Sequence, residues 1–214
     1  MPQIFHPSVN TISRVSVFGA VVLVIGTFGV AAVIVRSPYV TEVGVVKSQP
    51  IPFSHKHHVG DAGIDCRYCH RTVETEASAG MPTTEVCIGC HSQLWADSEM
   101  LAPVHESWKT QKPLNWVRVH DLPDFVYFHH GIHTSKGINC KACHGDVAEM
   151  PLTWRTSTLH MEWCLDCHRH PDEHIPSNGT AIALGVVSGD SEIIAQTNHD
   201  GPQPGPTHCS ACHR

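Results

Sequence analysis

Aromatic residues are scarce in this chain: six Phe, five Trp and three Tyr, 7% of 214 residues. That excludes an interior filled in the usual way by large rings. Charge is thin too, at 16%, and Lys and Arg (14) are outnumbered by Asp and Glu (20), for a net −6. A nucleic-acid surface built on a basic patch is therefore excluded. The length excludes a large multidomain enzyme, and an apolar content of 41% excludes a disordered tail. No pair of carboxylates has a spacing that suggests general acid and base. In place of these the chain has ten Cys and nineteen His, so the scarce residues are core formers and the abundant ones are metal ligands.

Every Cys falls in one pattern, Cys-x-x-Cys-His: Cys66, Cys69, His70; Cys87, Cys90, His91; Cys140, Cys143, His144; Cys164, Cys167, His168; Cys209, Cys212, His213. Two thiols three residues apart on a helical turn reach the two vinyl groups of a porphyrin, and the next imidazole then lies under the iron. Zinc ribbons and redox dithiols also use Cys-x-x-Cys, but zinc would take the pairs two at a time and neither chemistry needs His after every second Cys. Five identical motifs are an odd disulfide framework. The pattern implies five covalent haem c groups, with His70, His91, His144, His168 and His213 as proximal ligands.

Val15 to Val35 is an unbroken uncharged run between Arg14 and Arg36. As a helix it is about 32 Å long, the thickness of a bilayer core. A cleavable signal would have a shorter apolar stretch, so 15–36 reads as a retained transmembrane helix preceded by a cytoplasmic segment, 1–14. Positive charge is nearly balanced across it. Haem attachment outside the cytoplasm decides the orientation: N-terminus in, haem domain on the periplasmic face of the inner membrane. Gly19, Gly26 and Gly29, with Ser16, Ala20, Ala31 and Ala32, would let a neighbouring helix approach.

Residues 37–52 read as a linker with a Val-rich run suited to an extended strand, and 53–214 as the pentahaem domain. This domain holds an internal repeat. Phe53-x-His55-x-x-His58 precedes Gly63-Ile64-Asp65-Cys66, and Phe128-x-His130-x-x-His133 precedes Gly137-Ile138-Asn139-Cys140. Each copy is followed by a second motif, opened by Glu85-Val86-Cys87 or Glu162-Trp163-Cys164, where Trp163 reads as packing. About 36 residues per porphyrin are too few to wrap each one separately. The expected fold is that of a multihaem c-type cytochrome, short α-helices and irregular chain around stacked haems that form most of the core. Residues 176–207, rich in Gly, Pro, Ser and Thr, read as a long surface connection. The last motif is expected at an edge, as a port for electrons.

A sixth ligand on each iron favours electron transfer over substrate binding. The repeat selects His55, His58, His130 and His133 as distal ligands, with His120 as the fifth. His57 and His129 are alternatives by a shift of register, and His105 lies outside the pattern. Met150 and Met161 are candidates for one His/Met haem, against a role in packing porphyrin.

These residues resemble a known family, the pentahaem membrane-anchored cytochrome c subunit of bacterial alternative complex III. The resemblance rests on the N-terminal span, Phe53-Ser54-His55-Lys56-His57-His58, Gly63 to His70, Val119 to Phe128, and Glu162 to Arg169. The Phe-x-His-x-x-His element also resembles that of the small class III multihaem cytochromes. There, the first His ligates the nearest downstream haem and the second another haem, which implies His55 and His130 as local ligands and His58 and His133 as cross-links. The family pattern has Asn where this chain has His129. The resemblance implies quinol oxidation in a polytopic membrane subunit and transfer through an iron–sulfur subunit. This chain would then relay electrons to a monohaem cytochrome c or a periplasmic acceptor, without catalysis of its own.

Two other functions are distinguishable. A free-standing membrane-anchored quinol dehydrogenase feeding periplasmic reductases usually has Met two residues after the first motif's His. Here Arg71 and Thr72 follow His70. A multihaem reductase of small oxyanions needs an open iron, often with a changed proximal residue, and all five motifs end in His.

Overall fold

The computed structural model describes residues 5–174 and 203–213, and the chain divides into two compact units, Met1–Glu42 and Val43–Arg214. In the first, α1 (Ser8–Arg36) has 29 residues, none of them buried, and is about 44 Å long at 1.5 Å per residue. It starts seven residues before the apolar run, because Ser8 to Arg14 contains no Gly or Pro to stop it. Its internal hydroxyls are satisfied within the helix, Thr27 donating to the Leu23 carbonyl at 2.8 Å and Ser16 to that of Ser13 at 3.0 Å. Intrahelical satisfaction of polar groups is what a lipid environment demands. A short α2 (Pro38–Thr41) ends where Glu42 turns left-handed at φ 56°.

The second unit thus begins inside the stretch read as a linker. The strand expected there is reduced to two isolated bridges, Val43 with Arg155 and Val46 with Trp154. Gly44 at φ 74° breaks the extended run between them. Beyond it come α3 (Cys66–Cys69), α4 (Thr84–His91), α5 (Ala102–Thr110), α6 (His130–Ser135), α7 (Cys140–His144), α8 (Met161–Arg169), α9 (Pro171–His174) and α10 (Cys209–Cys212). Among the described residues there are isolated bridges and no strand. The connection expected over 176–207 falls mostly on residues 175–202, which lie outside the described residues.

The repeat explains its own local structure. In both copies a Gly at positive φ, Gly63 (66°) or Gly137 (79°), turns the chain into the motif, a conformation that favours glycine. The next polar residue then caps the motif helix: the Asp65 side chain accepts from the Arg67 amide, and Asn139 from that of Lys141. The copies differ by one residue, since Gly63 follows His58 by five positions and Gly137 follows His133 by four. The extra residue is absorbed as a π-helical turn at Lys56–Asp61, where the second copy has α6. Both ends still close alike, Ile64 donating to the His58 carbonyl at 2.9 Å and Ile138 to that of His133 at 3.1 Å. An i→i+5 turn is the usual way for a helix to accept one inserted residue without losing its ends.

The two copies dock reciprocally. α6 lies on the chain that follows the first motif, with Gly131 donating to the Glu76 carbonyl and His130 to that of Ala77. The π-helical turn lies on the chain that follows the third, with Lys56 donating to the Met150 carbonyl at 3.0 Å. Both contacts need glycine. A Cβ on Gly131 would sit 2.8 Å from the Glu74 oxygen, and one on Gly60 would collide with the Ala148 carbonyl.

The protein itself supplies almost no interior. The buried apolar side chains among the described residues are Ile51, Val104 and Met150. At roughly 2 kcal/mol for each buried large side chain, three do not offset the ordering of a unit this size. We therefore expect the full chain, made without haem attachment, to show no cooperative unfolding transition and to be digested rapidly beyond residue 43. A cooperative melt of haem-free protein would show that polypeptide alone forms the core.

Candidate haem sites

The ten Cys of the five motifs each lie within or at the edge of a short helix. Helical winding puts both thiols of a motif on one face, with the following His at or just beyond the last turn. The motifs are near neighbours in a definite order. The Cys66 and Cys140 side chains are close neighbours, joining the first and third motifs. Cys69 has Cys87 and Cys90 of the second as electrostatic neighbours. Cys143 has Cys164 and Cys167 of the fourth, and Cys164 has Cys212 of the fifth. In space the motifs run second, first, third, fourth, fifth.

The imidazoles are tied at one nitrogen. Among the motif residues, Nδ1 of His70 faces the Gly80 carbonyl at 2.8 Å, that of His91 the Leu94 carbonyl at 3.0 Å, and that of His168 the Pro206 carbonyl at 2.8 Å. Nδ1 of His213 lies 3.2 Å from the Phe125 carbonyl. Among the expected distal residues, His58 is tied to the Ser54 carbonyl, His130 to that of Ala77, and His133 to that of His129, at 2.8, 2.8 and 2.9 Å. A carbonyl accepts only, so each Nδ1 carries the proton and each Nε2 keeps its lone pair for a metal. In each copy one phenyl ring packs both rings of its element, Phe53 at 4.9 Å from His55 and 4.3 Å from His58, Phe128 at 4.7 Å from His130 and 4.4 Å from His133.

Two imidazoles bound through Nε2 to opposite sides of one metal have ring centroids roughly 6.3 Å apart, given metal–nitrogen bonds of about 2.0 Å. Three pairs have this separation: His58 and His91 at 6.1 Å, His130 and His144 at 6.4 Å, His133 and His168 at 6.2 Å. His130 thus faces the His of the motif next downstream, while His58 and His133 each face that of the motif after. His55 has His70 as its main electrostatic neighbour, the place equivalent to that of His130 beside His144.

The remaining candidates are placed differently. His129 accepts from the Ile132 amide through Nδ1 at 3.3 Å and caps α6, which puts its proton on Nε2. His57 is half exposed, with Nδ1 3.8 Å from Asp61. Met150 is 2% exposed in the small apolar core, and Met161 is 64% exposed. His120, the fifth expected distal ligand, packs against His144 with centroids 4.3 Å apart, too close for a metal between them. The ring contact of His213 among the described residues is Phe125 at 5.8 Å, and His120 is held in its own place. The reason is a clamp that periodicity does not reveal. Gln49 bonds both backbone groups of Val117, and the Arg155 guanidinium donates to the Val119 carbonyl at 3.0 Å, holding 117–121 against the third motif.

A buried metal group fits this arrangement. The buried side-chain nitrogens without a hydrogen-bond partner among the described residues are Nε2 of His105 and Nε2 of His120; an orphaned buried imidazole nitrogen calls for a partner, which keeps both residues as candidates for the distal place that the paired rings do not fill. Burial holds the central rings neutral, the ligating form. It lowers His55 and His120 to about 4 and His144 to about 3, with nearby imidazoles adding to the effect on His55 and His144 and Arg155 to that on His120.

Two outcomes follow for the haem-loaded protein. His130→Ala is expected to turn one haem high-spin while His129→Ala leaves the low-spin spectrum intact, as read by electron paramagnetic resonance; the reverse result would shift the ligand register by one. Because the folded-state values of His55, His120 and His144 are lowered, protons compete for these rings only well below the ordinary 6.5. The low-spin signals of the haems held by His55 and by His144 should therefore persist as pH falls through 6.5 and be lost only well below it. Loss centred near 6.5 would mean that the rings are open to water.

Residues 132–214 match the family model for cytochrome c3. The chain is also 38% identical, over 161 residues, to the menaquinone reductase multihaem cytochrome c subunit of Nitratidesulfovibrio vulgaris (strain Hildenborough). That match covers 65% of this chain and 76% of the relative. With its short helices, irregular connections and repeated Cys-x-x-Cys-His motifs, the chain belongs to the cytochrome c3 family of multihaem cytochromes, in which haem c is covalently bound.

Proposed function

We propose that this chain is the electron-relay subunit of a membrane quinone-linked oxidoreductase, carrying five haem c groups outside the bilayer. The observation that carries the reading is the series of neighbouring motifs, second to fifth, with imidazoles paired 6.1 to 6.4 Å apart at three of them. Bound haem c supplies reversible one-electron chemistry at iron.

The chain's own residues do the rest. The ten Cys would tether the porphyrins, and His70, His91, His144, His168 and His213, together with His55, His58, His130 and His133, would hold the irons. At the four sites given two imidazoles no coordination position is left for a substrate, which favours relay over a reductase, and such pairing favours low potentials suited to a menaquinone couple. α1 has the length and composition of a membrane anchor, which keeps the relay beside a membrane quinone site with the haem domain on the periplasmic side.

The finer form of this reading is the pentahaem subunit of alternative complex III, on the strength of Val119 to Phe128 and Glu162 to Arg169. Its partners would be a polytopic quinol-binding subunit, an iron–sulfur subunit, a monohaem cytochrome c and a periplasmic acceptor. The relative's name describes the opposite direction, quinone reduction, and a relay of this kind serves both. Purification in mild detergent should retain a polytopic subunit and an iron–sulfur protein, and the assembly should turn over menaquinol while the isolated chain does not. Fast menaquinol oxidation by the isolated chain would overturn the proposal in favour of a free-standing dehydrogenase.

A further inference from the structure

The two Phe-x-His-x-x-His elements match closely in ring geometry. Phe53 meets His55 at 85° and His58 at 22°; Phe128 meets His130 at 89° and His133 at 31°. The second His of each is tied to the carbonyl four residues before it, Ser54 or His129. The first His of each is tied across the docking interface to the other half of the repeat, and there the symmetry fails. Nδ1 of His130 faces the backbone carbonyl of Ala77 at 2.8 Å, whereas Nδ1 of His55 faces the side-chain hydroxyl of Thr153, also at 2.8 Å.

The difference has a chemical consequence. An imidazole that donates Nδ1–H to a good acceptor becomes a more basic ligand, and a more basic ligand stabilises ferric over ferrous iron. A backbone carbonyl is the stronger and permanent acceptor; a hydroxyl is weaker. Thr153 is also held in place, since the neighbouring Trp154 and Arg155 bridge to Val46 and Val43 and the Arg155 guanidinium grips the Val119 carbonyl. We propose that Thr153 is a positioning residue that sets the reduction potential of the haem at Cys66, Cys69 and His70, acting through His55. It thereby makes the first and third motifs, which meet at Cys66 and Cys140, unequal in potential. This rests on the reading of the five motifs as haem sites with His55 opposite His70.

The test is a spectroelectrochemical titration of the full-length protein in detergent, with haem counted by the pyridine haemochrome assay. Thr153→Val removes the acceptor, so one of five midpoints should rise while the other four stay, and the low-spin electron paramagnetic resonance signal of one haem should shift. Thr153→Ser keeps the hydroxyl and should restore both. His55→Ala should turn high-spin the same haem whose midpoint moves. If Val impairs haem loading, Thr153→Ala provides the same comparison with Ser. Five unchanged midpoints in the Val or Ala variant, or a Ser variant that behaves like them, would overturn the proposal. Fewer than five haems in the unsubstituted protein would instead overturn the reading on which it rests.

Discussion

An imidazole has two nitrogens, and a metal site needs one of them tied so that the other points reliably. That constraint runs through the second unit of this protein. Carbonyl after carbonyl is directed at Nδ1: Gly80 at His70, Leu94 at His91, Pro206 at His168, Ser54 at His58, Ala77 at His130. The irregular chain between the motifs is what makes this workable. A carbonyl within a regular helix is already engaged by an amide, whereas those of Gly80, Leu94 and Pro206 lie in irregular chain open to a ring, and those of Ser54 and Ala77 accept the amide of the same His as well. Short helices and long bends are therefore the functional geometry of the fold, and the scarcity of buried apolar side chains has the same origin.

The duplicated element shows how such a scaffold holds itself together with so little core. Each copy is completed by the half of the chain that follows the other copy's first motif. α6 rests on residues 74–77 and the π-helical turn on residues 147–150, and the ring nitrogens of His130 and His55 are satisfied across these same contacts. The first imidazole of each half is thus oriented by the other half, His130 by a backbone carbonyl and His55 by a side-chain hydroxyl. Exchange of partners between the halves also puts the first and third motifs side by side at Cys66 and Cys140, which turns two separate two-motif units into one continuous series.

Much of this was legible in the residues. The Cys-x-x-Cys-His motifs, the spacing of His55, His58, His130 and His133, and the cap residues Asp65 and Asn139 are local patterns, and local hydrogen bonding realises them where the pattern lies. The one-residue insertion between His58 and Gly63 is local too, but its consequence, the π-helical turn, came from the structure. The place of His120 beside His144 was not legible in the pattern. Its position depends on Gln49, 68 residues from Val117, and on Arg155, 36 residues from Val119, and no periodicity relates residues so far apart.

The sequence alone determined the chemistry, because covalent tethering and proximal ligation are set by the spacing of thiols and imidazole within a single helical turn. It also determined the apolar span, which is a matter of length and composition. Only the tertiary structure decided which imidazole faces which motif, in what order the motifs follow one another, and which atom holds each ring. Those choices arise where chain distant in sequence is brought together, and there a hydroxyl at Thr153 and a carbonyl at Ala77 occupy equivalent places that the repeat itself does not distinguish.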